Sequence, residues 1–301
     1  MSGPTGIGTI AHYNLLERLE PSGPGDLFRA RDTRLGRTVT VRWLPPGFSV
    51  PGLTQDQLIE RARGLAVLSH PNITTLFDAG MHEGRAYLVF EYLKGQSLRA
   101  EMAGRPVNVR RAVEVAIQIT NAVADAHAAG YGHGGLSPDS IALTGKGHAK
   151  IPAFELASQG GFEPGDAGMR LRDYDAPEEA RGEPADDRSD IYSIGAVLYE
   201  MLTARRPSHR GASAPSGSNP HVPPELDALA LKAIAPNPAS RFQSAAALAA
   251  ELRSVAAAVD LRSDIAEQGA APAAATNVGN VVLMAIVILV ALAAVTWWWL
   301  G

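Results

Sequence analysis

The sequence predicts an α+β fold in two lobes, a small strand-rich lobe followed by a larger helical one, with one apolar helix near the C-terminus. Residues 37–44 and 87–91 have the β-branched and aromatic character of strands. Past them, helical periodicity dominates, and residues 281–300 carry no charge at all. Because the strands precede the helices instead of alternating with them, the pattern indicates α+β and not α/β.

Helical patterns in the second part of the chain fall at residues 112–129, 190–202, 224–235 and 244–259. The second of these is apolar almost all round, so we expect it to be buried at the centre of its lobe. Residues 207–224 are rich in Ser, Pro and Gly and predict a loop.

One helix is predicted inside the strand-rich part. Thr54 followed by Gln57 has the spacing of a capping box, in which each side chain bonds the other residue's backbone N–H. Leu58, Ala62 and Leu65 then recur at helical spacing and should share one buried face.

Composition narrows the possible functions. The chain has 301 residues, of which 46% are hydrophobic and 19% charged, as in a globular protein. A net charge of -4 provides no basic footprint, so no nucleic-acid partner is expected. The absence of cysteine excludes disulfides and thiolate metal sites, and the eight histidines show no metal-ligand spacing.

The C-terminal segment predicts a membrane anchor. About 20 apolar residues span the ~30 Å of a hydrocarbon core, and the tryptophans at residues 297–299 suit a headgroup interface. We expect a transmembrane helix at residues 278–300 behind an Ala-rich linker at 256–277. Arg253 and Arg262 lie on its N-terminal side, so the positive-inside rule predicts a large domain on the cytoplasmic face of the membrane.

Five motifs in order resemble bacterial serine/threonine protein kinases over residues 13–255. They are His70-Pro71-Asn72-Ile73, residues 87–92, Ala176-Pro177-Glu178, residues 190–195, and Arg241 within residues 237–242. The resemblance implies a bilobal kinase-like fold. The expected divisions are an N-terminal tail at 1–12, an N-lobe at about 13–93, a C-lobe at about 94–255, the linker and the membrane helix.

Against that family, the nucleotide-facing positions are degenerate. Of the three glycines of the phosphate loop only Gly25 remains, and the resemblance puts Arg42 where active members have lysine. Arg61 stands where they have the partner glutamate. Two guanidinium groups about 4 Å apart would repel by ~1–4 kcal/mol. A one-residue slip that substitutes Glu60 stays open.

The catalytic positions are degenerate as well. Gly135, Ser137 and Ser140 replace the aspartate, lysine and asparagine of the family's catalytic loop, and Ala153 replaces the magnesium-binding aspartate. No metal is therefore expected. Asp139 and Glu155 are the nearby carboxylates, each off register, and an unusual metal site built from them stays open. The list of degenerate positions is Arg42, Arg61, Gly135, Ser137, Ser140 and Ala153.

The scaffold positions of the family survive. The resemblance implies a column through both lobes formed by Leu65, Leu76, Phe154 and His133 and standing on Asp190, and a buried ion pair between Glu178 and Arg241. We interpret His133 as a hydrogen-bonded core histidine and Asp190 as a helix cap.

Three functions follow, in order of preference. The first is a catalytically inactive, membrane-tethered scaffold or regulator that acts through protein partners, such as an active kinase or a membrane complex. The second is a sensor that binds nucleotide without Mg²⁺; the third is an atypical active kinase. No cofactor is expected, with ATP binding left open. The pocket for it would be Leu19, Leu27, Thr40, Arg42, Phe90 as gatekeeper, Glu91 to Leu93 as hinge, and Ala142.

Overall fold

The computed structural model describes residues 7–19, 25–48, 54–151, 173–208 and 211–269. Within these ranges, no helix is both long and apolar enough to cross a membrane. The predicted membrane helix at residues 278–300 lies outside the described residues. So do three site residues, Ala153, Phe154 and Glu155.

The N-lobe is a six-stranded antiparallel sheet in the order β1-β2-β3-β4-β6-β5. The predicted strands at residues 37–44 and 87–91 are confirmed as β4 and β6, which pair with each other inside the sheet. The strands are β1 Gly8–Ile10, β2 Tyr13–Leu19, β3 Asp26–Asp32, β4 Thr38–Trp43, β5 Leu76–His82 and β6 Arg85–Glu91.

Helix α1, Gln55–Leu65, covers one face of this sheet. The predicted capping box is confirmed, because the Thr54 hydroxyl accepts from the Gln57 N–H and the Gln57 side chain accepts from the Thr54 N–H. The predicted face is buried, with Leu58, Ala62 and Leu65 each at most 4% exposed. This face packs on β5 and β6 and forms part of the N-lobe core with them.

The C-lobe is helical, with one small sheet of order β7-β8-β9. Its elements are β7 Gly95–Ser97, α2 Leu98–Met102, α3 Val109–Ala128, β8 Ala142–Thr144, β9 Ala149–Lys150, α4 Pro177–Ala180, α5 Asp187–Thr203, α6 Pro224–Ala233 and α7 Ala245–Gly269. All four predicted helices are present. The predicted loop at 207–224 contains a single 3₁₀ turn, Pro215–Gly217, in its described part.

Helix α5 is the predicted central helix, buried from Ser189 to Thr203 and packed between α3 and α6. At Gly195 the neighbouring helix comes so close that an added Cβ would lie 2.7 Å from the Ala233 Cβ. The interpretation of Asp190 as the helix cap is wrong. The helix begins three residues earlier, where Asp186 caps it reciprocally with Ser189.

A short parallel bridge between Ile73 and Ile151 joins the segment before β5 to the end of β9. The Thr74 N–H donates to the Ile151 carbonyl at 2.9 Å, and the Ile151 N–H donates to the Asn72 carbonyl at 2.9 Å. These bonds fasten the N-lobe to the β8–β9 hairpin beside the segment that connects the lobes.

Candidate nucleotide and catalytic-loop site

The expected nucleotide pocket is built on β2, β3, β4 and β6. In the sheet register, Leu27 stands opposite Leu19 and Arg42, and Thr40 stands opposite Phe90. The sheet thus brings these pocket residues onto neighbouring strands. Phe90 is buried, whereas the other four, together with Leu93 and Ala142, are half-buried.

Gly25 is the one motif glycine that the chain retains, and its backbone explains why. It has φ +80° and approaches β4 so closely that a Cβ would lie 2.1 Å from the Trp43 carbonyl oxygen. Only glycine tolerates both conditions. Packing against β4 therefore accounts for this glycine without any phosphate.

Arg42 and Arg61 are both half-buried. Burial lowers the pKa of the Arg42 guanidinium to about 10. Glu60, by contrast, has a side chain 70% exposed and pairs with Arg63 at 2.7 Å. Because Glu60 is committed to this surface ion pair, the register slip that would turn it toward Arg42 has no support in the geometry.

The catalytic loop is anchored on Asp190. One carboxylate oxygen accepts from the His133 N–H at 2.7 Å, and the other accepts from the Gly134 N–H at 2.7 Å. The His127 ring nitrogen lies 2.8 Å from the first oxygen. Burial alone would raise the pKa of Asp190, but these hydrogen bonds outweigh burial and lower it. Asp190 is thus an ionised anchor for the loop backbone.

Farther along the loop, Ser137 and Ser140 bond each other. The Ser140 hydroxyl accepts from the Ser137 N–H at 3.0 Å and lies 3.0 Å from the Ser137 carbonyl oxygen, to which it can donate. Ser137 is fully buried. The two hydroxyls therefore close the turn, and Gly135 between His133 and this turn has no side chain to offer.

Asp139, the off-register carboxylate, is held by Arg99 of α2. The Arg99 Nε and Nη2 atoms lie 3.2 and 3.1 Å from one Asp139 oxygen. Arg99 also donates to Glu200 of α5 at 2.6 Å. Tyr174, which is buried, bonds both Arg99 and Glu200. Burial and the Glu200 hydrogen bond raise the pKa of Tyr174, so the phenol stays a donor.

Sequence reasoning missed this network, here called the Arg99 network: Arg99, Asp139, Tyr174 and Glu200. It also missed His127 as the ring beside Asp190. Arg99 and Glu200 are 101 positions apart, and His127 and Asp190 are 63 apart. No local pattern could have paired them, because the contacts exist only once α2, α3 and α5 are packed together.

Three residues of the expected column are buried, and the expected ion pair is present. Leu65, Leu76 and His133 are buried at 4%, 6% and 1% exposure. Arg241 and Glu178 form a buried bidentate ion pair, with both guanidinium–carboxylate distances at 2.7 Å. Burial would raise the pKa of Glu178, but the hydrogen bonds from Arg241 overcome it and lower that pKa.

Glu179, next to this pair, is a half-buried carboxylate with a raised pKa. Burial raises its pKa to about 7, and the charges of Asp175 and Asp190 add to the rise. Its Oε2 atom accepts from the Ala176 N–H at 2.9 Å, which closes the first turn of α4.

Glu179→Gln should therefore alter how stability depends on pH. The pKa is higher in the folded state than the ordinary 4.5, so Glu179 ionises in the unfolded chain first. Stability is consequently lost as pH rises from about 4.5 through about 7. After allowance for solvent screening, the wild type should lose ~1–2 kcal/mol more than the variant between pH 5 and 8. Urea unfolding at both pH values measures this, and parallel curves would contradict it.

Known proteins with similar sequences and structures are protein kinases. The protein kinase domain family matches residues 25–249. The probable serine/threonine-protein kinase SCO3848 of Streptomyces coelicolor is 34% identical over 272 residues, which cover 81% of this chain and 40% of that protein. The serine/threonine-protein kinase PknA of Mycobacterium tuberculosis is 34% identical over 268 residues, which cover 81% of this chain and 61% of that protein.

Among solved structures, the kinase domain of Mycobacterium tuberculosis PknI is similar with a TM-score of 0.69 at 23% identity, covering 84% of this chain and 99% of that one. This likeness shows the bilobal kinase fold. The chain spans 40% and 61% of the length of the two relatives above. With the family match extending over both lobes, the chain belongs to the bacterial serine/threonine protein kinase family.

Proposed function

We propose that this chain is a pseudokinase, a kinase-fold scaffold or regulator that transfers no phosphate and acts through protein partners. The observation that carries the proposal is the state of the catalytic loop. Gly135 has no side chain, the Ser140 hydroxyl closes its own turn, and Asp139 is clasped by Arg99.

Phosphoryl transfer needs a base to orient the attacking hydroxyl, a cation on the moving phosphate and oxygen ligands for Mg²⁺. Gly135 cannot act as a base, and Ser137 brings no charge. Mg²⁺ prefers carboxylates in near-octahedral geometry. In the described loop, the Ser137 and Ser140 hydroxyls are bonded within their own turn and the Asp139 carboxylate is bound by Arg99, so these donors do not fit that ion.

The atypical kinase is disfavoured by the Arg99 network. To ligate a metal, Asp139 would have to leave a guanidinium that contacts it through two nitrogens. Arg99 would still bond Glu200 and Tyr174, whereas Asp139 would lose its hydrogen bonds to Arg99. The relatives' names as kinases identify the family, but 34% identity leaves room for the loss of six catalytic positions.

A nucleotide sensor is the second candidate, and one observation favours it. In the described part of the chain, the Leu93 N–H of the connecting segment donates to no protein acceptor. Kinase-like folds offer such a backbone N–H to an adenine ring. The Glu91 N–H, in contrast, already donates to the Thr75 carbonyl, and the Glu91 carboxylate pairs with Lys150.

A thermal-shift assay separates these candidates. The full-length chain is heated in detergent with ATP, with and without Mg²⁺. We expect Mg²⁺ to cause no further rise in melting temperature, because Ser140 and Ala153 stand at the family's metal-binding positions and provide no carboxylate or amide ligand. A shift with ATP alone that Leu93→Pro abolishes would favour the sensor. A shift that requires Mg²⁺ would contradict the pseudokinase proposal.

We also propose that residues 278–300 tether the protein to the cytoplasmic membrane, with the kinase-like domain on the cytoplasmic face. The support is the length of the uncharged apolar run and the arginines that precede it. The full-length chain should sediment with membranes and resist extraction by high salt. Recovery in the soluble fraction would rule the tether out.

A further inference from the structure

A groove of about 750 Å³ lies beside the segment that connects the lobes. Glu91 and Lys94 of that segment contribute to its lining. Its walls are the connecting segment 91–94, the β8–β9 hairpin, Gln118 of α3, and the turn at Pro71 and Asn72. We call it the hinge groove. The groove shares the connecting segment with the expected nucleotide pocket, but none of that pocket's residues on β2, β3, β4 and β6 before Glu91 lines it.

The charge of the hinge groove is unlike that of the rest of the chain. The sequence contains only four lysines among 27 basic residues and has a net charge of -4. Three of the four, Lys94, Lys146 and Lys150, line this groove. Its one carboxylate, Glu91, is paired with Lys150 at 2.5 Å. Lys94 and Lys146 are exposed, and neither has an ion pair with any residue that the structure describes.

The walls are held in place by their own hydrogen bonds. The Gly145 N–H donates to the Lys94 carbonyl at 3.1 Å, which fixes the hairpin against the connecting segment. The Asn72 amide donates to Gln118 at 2.9 Å and to the Ala149 carbonyl at 2.7 Å. A site that is already formed costs little ordering on binding.

Besides the lysines and several polar side chains, Pro71, Tyr92 and Leu93 give the lining apolar surface. We propose that the hinge groove binds an acidic peptide segment of a partner protein that also carries apolar side chains. The volume exceeds what a single phosphate fills, and the mixed lining matches a peptide with alternating carboxylates and apolar anchors. Exposed lysines steer an acidic partner and fix its register. This inference rests on the proposed function, because it supplies the partner site of a non-catalytic regulator.

The test uses fluorescence anisotropy on the full-length chain in detergent. The probe is a labelled twelve-residue peptide of repeated Glu-Asp-Leu. Lys94→Glu with Lys146→Glu should weaken binding by about tenfold or more. Arg34→Glu with Arg205→Glu is the matched control: it makes the same charge change at two exposed arginines away from the groove and should stay within about twofold.

Two further probes complete the test. A peptide of repeated Glu-Asp-Ser should bind more weakly than the leucine peptide, because it lacks the apolar anchors. Equal binding by the two peptides would show a site for anions in general and overturn the proposal. Equal losses in the two double variants, or no binding to the wild type, would also overturn it. Phosphate transfer measured on the same preparation tests the pseudokinase assignment separately. A wrong peptide site and a wrong pseudokinase assignment therefore give different results.

Discussion

Arg241→Ala should lower the free energy of unfolding by ~3–5 kcal/mol, because it leaves the Glu178 carboxylate buried without its cation. The Arg241 guanidinium bonds both Glu178 oxygens at 2.7 Å, and its Nε donates to the Ala235 carbonyl at 2.7 Å. It also lies 4.9 Å from the centre of the Tyr192 ring. A domain of this kind has only ~5–15 kcal/mol of stability in total, so melting temperature and yield should fall sharply.

Chemical unfolding of the full-length chain in detergent measures this effect. Arg205→Ala, at an exposed position on the same lobe, is the control and should change stability by less than ~0.5 kcal/mol. Arg241→Met combined with Glu178→Gln should recover part of the loss, since no unpaired charge remains buried. If Arg241→Ala were as mild as Arg205→Ala, the ion pair would have no structural role.

Local signals predicted the elements that local interactions build. The Thr54 capping box and the buried face of α1 were predicted because the residues involved lie within one to three helical turns. The burial of α5 was predicted because this helix is apolar almost all round. The strands β4 and β6 were predicted from their residue types. The pairing of Glu178 with Arg241, which lie 63 positions apart, came instead from the family resemblance.

The site was harder to predict because its geometry depends on long-range contacts. The sequence predicts Asp190 as a helix cap, but Asp186 and Ser189 form the reciprocal cap, and the Asp190 carboxylate instead accepts hydrogen bonds from the loop backbone. The sequence leaves Asp139 open as a metal ligand, but in the fold Arg99 of α2 binds its carboxylate. In both cases the sequence shows a carboxylate, and only packing decides which cation or amide it meets.

The full-length chain should transfer no phosphate to itself or to general protein substrates. Catalysis of this reaction is mainly positioning and charge stabilisation, and loss of one such group commonly costs ~10²–10³ in rate. The rate losses from removing several groups that act as a unit do not add up. Gly135→Asp alone should remain inactive, because the restored base would still face a loop without metal ligands.

The most direct measurement is incorporation of radiolabelled γ-phosphate from ATP, with Mg²⁺ and separately with Mn²⁺, into the full-length chain and a general acceptor protein. We predict incorporation no higher than that of heat-denatured protein with either metal. Incorporation well above that background, lost on Asp139→Asn and retained in Asp125→Asn, a matched change at an exposed aspartate, would contradict the pseudokinase assignment. It would identify the chain as an atypical kinase that uses Asp139.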